Sequence, residues 1–409
     1  MRDIIIIGGG ASGLLAAIFA AKSGKKVTIL EKNKTCGKKI LITGNGKCNY
    51  WNEAQSLNHY HTNNIEILKN ILTESNKQEI LNFFDSIGII PRVKDGYYYP
   101  FSNQATSIQT ALLTEAKIQG VEIITETEVL SINKDNNNYQ IITNNGKYLC
   151  NKVIISTGSY ACPKTGSDGL GYKLLTSLGH SLITPLPALV QLKANTPYLK
   201  EWHGIRSDVS VSLIENNNPI ATQIGEIQLT DYGVSGICIF SLSGQVARGL
   251  SKNKQEQISI NFLHPFSISN EEEFITWMDN RNKLVLNRTI SDLLDGILNY
   301  KLINLILKLS KIDRTKYWND LTKQEKYLLG TNLTNFILTI TGTNSFEYSQ
   351  TATGGIPLTE INLNTMESLY NKGLYITGEL LDIDGDCGGY NLTIAWITGY
   401  LAGIGASND

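Results

Sequence analysis

The chain of 409 residues is long enough for roughly two or three domains with their own hydrophobic cores. Hydrophobic residues make up 42% and charged residues 18% of it, and the formal net charge of −1 gives no argument for binding nucleic acid or anionic membranes. The six cysteines form no C-x-x-C pair, so neither a zinc ribbon nor a thioredoxin-like motif is expected. No apolar run is long enough for a membrane span and no signal peptide precedes the first predicted strand. We therefore predict a cytoplasmic protein with reduced thiols and no membrane contact.

The first predicted unit is a strand, a glycine turn, a helix and a second strand. Residues 4–7 are four isoleucines, and the pattern G-x-G-x-x-G follows at Gly8, Gly10 and Gly13. The alanine-rich stretch "LLAAIFAAKSG" predicts a helix, and "KKVTIL" predicts a strand that leads to Glu31, about 20 residues after the glycines. This is the dinucleotide-binding fingerprint, in which a pyrophosphate lies at the helix N-terminus and the acid binds a ribose hydroxyl. The competing interpretation is a glycine turn in an ordinary βαβ unit.

The segment after Glu31 is rich in glycine and lysine. Eight lysines lie between Lys22 and Lys47, with Glu31 as the only acidic residue among them. One interpretation is a solvated basic loop. The interpretation that we favour is a loop folded over a bound anionic cofactor, with backbone N–H groups around Gly44 and Gly46 contacting it.

Helical and strand patterns alternate up to the end of the first half. Residues 64–89 have helical periodicity and residues 120–132 are typical of a strand. The stretch "YQIITNNGKYL" predicts a hairpin that turns at its Asn-Gly pair. "KVIISTGSY" predicts a strand ending at Thr157 and Gly158. This order of exposed strand, hairpin and strand ending in Thr-Gly is typical of two-domain flavoproteins.

Short alternating runs occupy the middle of the chain. "QLKAN", "SDVSVSLI", "GEIQLT" and "QISINFL" fit the strands of a barrel or sandwich. Residues 271–340 are predicted to be helical. An apolar stripe at helical spacing, which we assign to the core, consists of Leu302, Ile303, Ile306, Leu307 and Leu309.

Four carboxylates lie close together near the C-terminus, in the stretch "GELLDIDGDCGGYN". They are Glu379, Asp382, Asp384 and Asp386. The aspartates fit positions one, three and five of a calcium-binding EF-hand loop, but position six should be glycine and is Cys387, and position twelve should be glutamate and is Thr393. We therefore predict no metal site. For the three aspartates, solvation and turn formation are at least as good an interpretation as catalysis.

Together these patterns resemble one family of flavoproteins. The motifs are "IIIIGGGASGLLAA", "GKKILITGNGKCN", "GYYYPFSNQATSIQTALL", "STGSYACPKTGSDGLGYKLLTSLGH" and "GLYITGELLDIDGDCGGYNLTIAWITGYLAG". In this order they resemble the BaiN/YhiN-type FAD-dependent oxidoreductases of the two-dinucleotide-binding-domain flavoprotein superfamily. The segment between residues 195 and 350 matches more loosely, mainly through "GEIQLTDYGVSG", where this chain lacks a histidine and a proline of the family pattern.

The resemblance implies an α/β fold with a Rossmann-like FAD-binding domain built from both chain ends. That domain would comprise residues 1–190 and 350–409. Residues 191–349 would form an inserted β-barrel with a helical subdomain at about 271–340.

The resemblance also implies cofactor-binding residues, although it assigns no catalytic one. Gly8, Gly10, Ala11, Ser12 and Gly13 would hold the pyrophosphate, Glu31 and Lys32 the adenosine end, and the backbone of Val129 the adenine edge. Lys39, Gly44, Gly46 and Asn49 would line the cofactor loop. Thr157, Gly158, Gly378, Glu379, Gly389, Asn391 and Leu392 would lie near the ring and ribityl chain, with the helix N-terminus at Asn391 and Leu392 facing the pyrimidine side of the flavin.

Three functions are compatible with this resemblance. The first is FAD-dependent reduction of a C=C bond in a small molecule. No separate NAD(P)H domain is expected because no second glycine fingerprint exists, so the reductant is either NAD(P)H that visits the flavin transiently or a donor other than a nicotinamide. The second is a dihydrouridine synthase acting on large-subunit ribosomal RNA, and the third is a flavin-binding regulator without turnover. Tyr160, Cys162 and Tyr390 are candidates for facing the substrate, whereas His180 is interpreted as structural. The sequence does not indicate an oligomeric state.

Overall fold

The computed structural model describes residues 2–135 and 138–408. The chain divides into two compact units. The first unit joins both chain ends, Met1–Ala188 and Phe346–Asp409, and the second is the segment Leu189–Ser345. The first unit therefore requires elements that lie far apart in the sequence.

The helices of the two units differ in length and position. In chain order they are α1 (Ala11–Lys22), α2 (Glu74–Ser86), α3 (Ala105–Ile118), α4 (Leu170–Ser177), α5 (Leu199–Trp202), α6 (Ile237–Ser251), α7 (Glu271–Leu284), α8 (Ile290–Asp295), α9 (Tyr300–Leu309), α10 (Lys323–Thr334) and α11 (Tyr390–Ser407).

The strands vary from short pairs to long hairpin arms. In chain order they are β1 (Arg2–Ile7), β2 (Val27–Leu30), β3 (Trp51–Asn52), β4 (Tyr60–His61), β5 (Pro91–Lys94), β6 (Tyr97–Pro100), β7 (Glu122–Ile124), β8 (Val129–Asp135), β9 (Asn138–Thr143), β10 (Gly146–Ile155), β11 (Ile183–Ala188), β12 (Leu192–Ala194), β13 (Arg206–Glu215), β14 (Asn218–Leu229), β15 (Gly233–Gly236), β16 (Glu256–Asn261), β17 (Phe336–Thr343), β18 (Thr351–Gly355), β19 (Ile361–Asn362), β20 (Glu367–Ser368), β21 (Leu374–Ile376) and β22 (Asp384–Gly385).

The first unit is built on a sheet in the order β19-β20-β21-β10-β1-β2-β7. Its central strands, from β21 to β7, pair in parallel. The isoleucines at residues 4–7 are all buried, as expected for a parallel strand covered on both faces. Because the carboxyl ends of parallel strands meet at one edge, the loops after β1, β2, β10 and β21 come together there.

Helices α1 and α11 pack against each other through small residues. A Cβ on Gly399 would lie 2.4 Å from the carbonyl oxygen of Ser12, and a Cβ on Gly403 would lie 2.6 Å from that of Ala16. Glycine at these positions permits the close approach of the two backbones. The C-terminal helix is thereby held beside the N-terminal fingerprint.

The second unit contains a closed antiparallel barrel in the order β12-β15-β14-β13-β16-β17, accompanied by helices. Its core includes the predicted stripe of α9, in which Leu302, Ile303, Ile306 and Leu307 are buried and Leu309 packs against them. The predicted fold class, a Rossmann-like domain from both chain ends with an inserted barrel and helices, is confirmed.

Two predicted elements have other boundaries. Residues 120–132 do not form the single predicted strand, because the segment contains the whole of β7 and the start of β8. Glu126 between them has a φ of 53°, a conformation that breaks a strand. The helical prediction for 271–340 is wrong after α10, because β17 begins at Phe336 and alternates buried and more exposed residues as a barrel strand.

The predicted helix over residues 64–89 is also divided. It consists of a 3₁₀ helix, Ile65–Asn70, and then α2. Thr73 caps α2, since its Oγ1 accepts a hydrogen bond from the Asn76 backbone N–H at 3.2 Å. The hairpin predicted at the Asn-Gly pair forms between β9 and β10.

Candidate functional site

The fingerprint glycines occupy positions where larger residues do not fit. Gly8 has a φ of +98°, and a Cβ there would lie 2.7 Å from the carbonyl oxygen of Ser156. A Cβ on Gly13 would lie 2.0 Å from the carbonyl oxygen of Gly8. The backbone N–H of Gly8 donates to the Leu30 carbonyl at 2.9 Å, which ties the end of β1 to β2. These contacts are the steric reason for the glycine spacing.

Glu31 holds the fingerprint loop through hydrogen bonds to both of its carboxylate oxygens. Its Oε2 accepts the backbone N–H of Gly9 at 2.8 Å, and its Oε1 accepts the backbone N–H and the side-chain amide of Asn33 at 2.8 and 2.7 Å. The side chain is buried. Since each carboxylate oxygen can accept more than one hydrogen bond, a ribose hydroxyl could be added to this set. A function in loop structure was not anticipated from the sequence.

Two buried hydroxyl groups lie at the same edge of the sheet. Ser156 Oγ and Thr157 Oγ1, directly after β10, have no hydrogen-bond partner among the described residues. Helix α1 begins beside them without a side-chain cap at Gly10 and without an acidic residue in its first turn, Ala11 to Gly13. Buried polar groups are normally paired, and a helix N-terminus favours an anion. These features fit a ligand that carries hydrogen-bonding groups and negative charge.

An ion pair joins the two ends of the chain at this edge. Lys39 Nζ lies 2.8 and 2.7 Å from the carboxylate oxygens of Glu379, a residue 340 positions later. Ser159 Oγ donates to Glu379 Oε2 at 2.9 Å, and the Tyr172 hydroxyl donates to the Glu379 carbonyl at 2.9 Å. The structure thus brings together two residues that the family resemblance assigns to the cofactor.

Other lysines of the basic segment are also paired with carboxylates. Lys32 Nζ lies 2.5 Å from Asp168 Oδ2, and Lys22 Nζ lies 3.1 Å from Glu115 Oε1. Part of the regional positive charge is therefore neutralised within the first unit.

The predicted cofactor loop is a distorted 3₁₀ turn. Residues Ile40–Gly46 are helical only in part, with Gly44 at a φ of +54° and Gly46 at +80°. A Cβ on Gly44 would lie 2.8 Å from the Asn49 backbone nitrogen. The side-chain amide of Asn49 donates to the carbonyls of Trp51 and Tyr98 at 2.9 and 3.1 Å. Asn49 therefore fixes the end of the loop.

Two more predicted residues, Val129 and Gly158, lie at strand ends of the sheet. Val129 is the first residue of β8 and is buried, with Thr143 as its partner on β9. Gly158 follows β10 at a φ of +74°, and a Cβ there would lie 2.6 Å from Ser167 Oγ.

The C-terminal residues surround the start of α11. Gly378 has a φ of +66° and donates its N–H to Thr398 Oγ1 at 3.0 Å. Gly389 is the N-cap of α11, in left-handed conformation and without a side-chain cap. Asn391 exchanges two hydrogen bonds with the backbone of Gly385, at 2.9 and 2.8 Å, so it shapes the preceding loop. Leu392, in the first turn, is half-buried.

Comparison with known proteins identifies the family. The model of the HI0933-like protein Rossmann domain matches residues 2–405. The chain belongs to this family. It is 39% identical to the 3-dehydro-bile acid delta(4,6)-reductase of Clostridium scindens, over 100% of this chain and 99% of that protein. It is 26% identical to the ribosomal RNA dihydrouridine synthase of Escherichia coli, over 96% and 95%. The solved structure of a 3-ketosteroid-delta4-(5alpha)-dehydrogenase from Rhodococcus jostii matches 100% of this chain and 97% of its own chain. The sequence identity is 13% and the TM-score is 0.49.

As a member of the HI0933-like family, the protein is an FAD-dependent oxidoreductase. Its residues fit this cofactor. The orphaned hydroxyls of Ser156 and Thr157, the uncapped start of α1 and the crowded turn at Gly8 are compatible with a dinucleotide bound at the end of β1. Among the described residues, no helix is both long and apolar enough to cross a membrane.

The C-terminal aspartates are not solvated loop residues, contrary to that interpretation of the sequence. Asp382, Asp384 and Asp386 are all buried. Asp382 Oδ2 accepts the Asn63 backbone N–H at 3.1 Å. The loop packs its acids inward because β22 pairs with β4, where Asp384 lies opposite His61. Within the described ranges, no group of His, Cys, Asp and Glu could hold a metal ion.

His59 and His61, which were not among the predicted site residues, contact Asp386 in the structure. The available signal was the H-Y-H spacing, although His59 ends a 3₁₀ helix, Leu57–His59, and only Tyr60 and His61 are extended, in β4. His180, by contrast, is a buried structural residue as interpreted. Its ring nitrogens contact Glu360 Oε2 at 2.7 Å and Ser368 Oγ at 2.8 Å.

Two of the residues considered for facing the substrate, Tyr160 and Cys162, have different surroundings. The Tyr160 ring packs at 5.4 Å from those of Tyr172 and Phe346. Cys162 has a φ of 56° and is partly buried. None of the six cysteines, all within the described ranges, forms a disulfide.

Proposed function

We propose that this protein reduces a C=C bond conjugated with a carbonyl group in a small polycyclic substrate of the 3-dehydro-bile acid type. Reduced FAD would supply the hydride, and NADH or NADPH would restore it. The observation that carries the proposal is 39% identity over the whole chain with a bile acid reductase, against 26% with a ribosomal RNA enzyme.

The charge distribution supports a small molecule over RNA. RNA binding depends on lysines and arginines that can neutralise backbone phosphates. In the basic segment, Lys22, Lys32 and Lys39 are already engaged by carboxylates of the same unit. With a net charge of −1, the chain as a whole offers no compensating excess of positive charge.

We also propose roles for the predicted site residues. The backbone of the turn at Gly8, Gly10, Ala11, Ser12 and Gly13 would bind the pyrophosphate, Glu31 and Lys32 the adenosine, and Val129 the adenine edge. Lys39, Gly44, Gly46 and Asn49 would line the cofactor, and Thr157, Gly158, Gly378 and Glu379 would bind the ribityl chain. The N-terminus of α11, at Gly389, Asn391 and Leu392, would stabilise negative charge with its helix dipole.

The test uses purified protein loaded with FAD under anaerobic conditions. NADH and NADPH are added separately, and bleaching of the flavin absorbance identifies the reductant. A 3-dehydro bile acid with conjugated double bonds is then added. We expect the absorbance to return and the product to gain two hydrogens for each double bond reduced. A flavin that is reduced but is not reoxidised by any unsaturated 3-dehydro bile acid would refute the substrate class.

The second candidate, a dihydrouridine synthase for ribosomal RNA, is favoured by the 26% identity to the Escherichia coli enzyme. Dihydrouridine in ribosomal RNA would be compared in cells with and without the gene. Binding of ribosomal RNA fragments would be measured over a salt series, where phosphate contacts give a slope of about −0.7 per phosphate on single strands. Lost dihydrouridine with steep salt dependence would replace the bile acid proposal.

A further inference from the structure

A buried carboxylate lies between two imidazole rings in the first unit. Asp386 Oδ2 lies 3.1 Å from His59 Nδ1, and Asp386 Oδ1 lies 3.2 Å from His61 Nε2. We call these three residues the His–Asp cluster. The Asp386 side chain is 6% exposed, that of His61 is 15% exposed and that of His59 is 33% exposed. His59 is thus the member with the greatest access to solvent or substrate.

The backbone holds this cluster in place. The N–H of Asp386 donates to the carbonyl of His59 at 2.8 Å. Strands β4 and β22 pair beside it, with Gly385 opposite Tyr60. Asp386 is 327 positions from His59 and 325 positions from His61 in the sequence, yet the three side chains converge. Because backbone pairing sets this geometry, the short side chain of Asp386 is held close to both imidazole rings.

The contact with Asp386 determines which nitrogen of His59 can react. An ionised carboxylate only accepts hydrogen bonds, so a neutral His59 ring bonded to an ionised Asp386 would carry its proton at Nδ1. Nε2 is then the nitrogen that gains and loses a proton. A carboxylate that orients a histidine through Nδ1 in this way also stabilises the imidazolium form.

The position of His59 relates the cluster to the cofactor end of the site. Its ring stacks on that of Tyr390, with centroids 4.6 Å apart and an interplanar angle of 17°. Tyr390 is the first residue of α11, directly after the N-cap Gly389. This is the helix whose N-terminus the proposed function assigns to the flavin ring.

The neighbouring phenols are poorer proton sources. Burial, followed by the charges of Tyr97 and Asp386, raises the pKa of Tyr390 well above its ordinary value. Burial, followed by Cys387, Asp95 and Asp386, raises that of Tyr97. Imidazole is the side chain whose ordinary pKa lies closest to neutrality, so it can donate a proton and recover it from water.

We propose that His59 is the general acid of the reduction and that Asp386 is its positioning residue. This rests on the proposed function. The substrate accepts a hydride at the carbon remote from the carbonyl, and its electrons shift to form an enolate. The imidazolium form of His59 then gives its Nε2 proton to the carbon next to the carbonyl, and the resulting neutral imidazole regains a proton from the solvent. One hydride and one proton complete the addition of two hydrogens, and the two electrons come from the nicotinamide reductant.

The first experiment separates the two half-reactions in stopped-flow measurements on His59→Gln and on the wild-type protein. Reduction of the flavin by the nicotinamide needs no acid and should keep its rate. Reoxidation by an unsaturated 3-dehydro bile acid should slow by about 100-fold or more, the usual contribution of a general acid. His203→Gln is the matched control, because His203 is exposed and its nearest carboxylate oxygen is 3.9 Å away, on Asp231.

The outcomes distinguish this proposal from the proposed function. If the wild-type protein reduces no bile acid, the proposed substrate class is refuted. The proposal that His59 gives its proton to such a substrate is then refuted as well. Wild-type protein that turns over, together with an unchanged reoxidation rate in His59→Gln, refutes the acid alone. Equal slowing of both half-reactions, or lost FAD, in both His59→Gln and His59→Phe would mean that His59 has a structural role and is not the acid. The phenylalanine variant is included because it retains the stacking on Tyr390, so its defect could not be due to lost stacking.

The second experiment needs no turnover. Nitrogen-15 NMR of imidazole-labelled protein reports the tautomer of each of the five histidines, and His59→Gln assigns its signal. We expect the Nδ1–H tautomer of His59 in the neutral ring and a loss of that preference in Asp386→Asn. An Nε2–H tautomer in the wild-type protein, or an unchanged tautomer in Asp386→Asn, would overturn the positioning role.

Discussion

Replacing Glu31 by glutamine tests whether this residue supports the fingerprint loop before any cofactor binds. Glutamine has the same shape but offers one acceptor oxygen in place of two. Glu31 accepts the N–H of Gly9 on one oxygen and two N–H groups of Asn33 on the other. In the better orientation, the new amide N–H₂ faces the Gly9 N–H, so that a buried donor loses its partner.

The cost can be estimated from these contacts. An unsatisfied buried donor costs roughly 1–3 kcal/mol, and the remaining bonds weaken because their acceptor is no longer charged. We expect the free energy of unfolding of the cofactor-free protein to fall by about 2–4 kcal/mol. For a unit of this size, that lowers the melting temperature by about 5–10 °C.

The assay is thermal and urea unfolding of the cofactor-free protein, followed by circular dichroism. Glu66→Gln is the control, because Glu66 pairs with Lys69 and the two side chains are 68% and 63% exposed. Its stability should change by less than about 0.5 kcal/mol. If Glu31→Gln leaves the cofactor-free protein as stable as this control and weakens only FAD binding, Glu31 is a ribose ligand and the loop argument is wrong.

Three further predictions concern packing, reactivity and chain completeness. Gly399→Leu should unfold the first unit or prevent FAD binding, because its Cβ would lie 2.4 Å from the Ser12 carbonyl oxygen. Ile404→Leu on the same helix is the control and should be tolerated. Normal FAD content in Gly399→Leu would contradict the packing argument. Burial, followed by the charge of Glu31, raises the pKa of Cys36 to about 12, so its thiol is protonated at neutral pH. We expect it to resist alkylation until the protein unfolds, measured by peptide mass spectrometry. Rapid labelling of the native protein would refute this. A fragment of residues 1–190 lacks β21 and α11, so it should be poorly folded and colourless; a stable yellow fragment, by its spectrum, would show otherwise.

Some features could be predicted because they are formed by residues that lie close together in the sequence. The βαβ unit from β1 to β2 is continuous in sequence, and each part has a local signal: four isoleucines, spaced glycines, an alanine-rich helix. The hairpin of β9 and β10 likewise follows from its Asn-Gly turn. Local signals failed where a tertiary contact decided the conformation, as at Glu126, whose N–H donates to the carbonyl of Asn33 at 3.1 Å.

The position of the dinucleotide fingerprint could be predicted from local patterns, because strand, turn and helix propensities act between near neighbours, whereas the fold class followed from the resemblance to a known family. The pairing of Lys39 with Glu379 and the contacts of His59 and His61 with Asp386 could be seen in the structure alone. The tertiary structure also decided that the C-terminal aspartates are buried, which their charge alone would not suggest. Residues more than 300 positions apart leave no shared periodicity in the chain, so their meeting depends on β4, β22 and the parallel sheet that aligns the two chain ends.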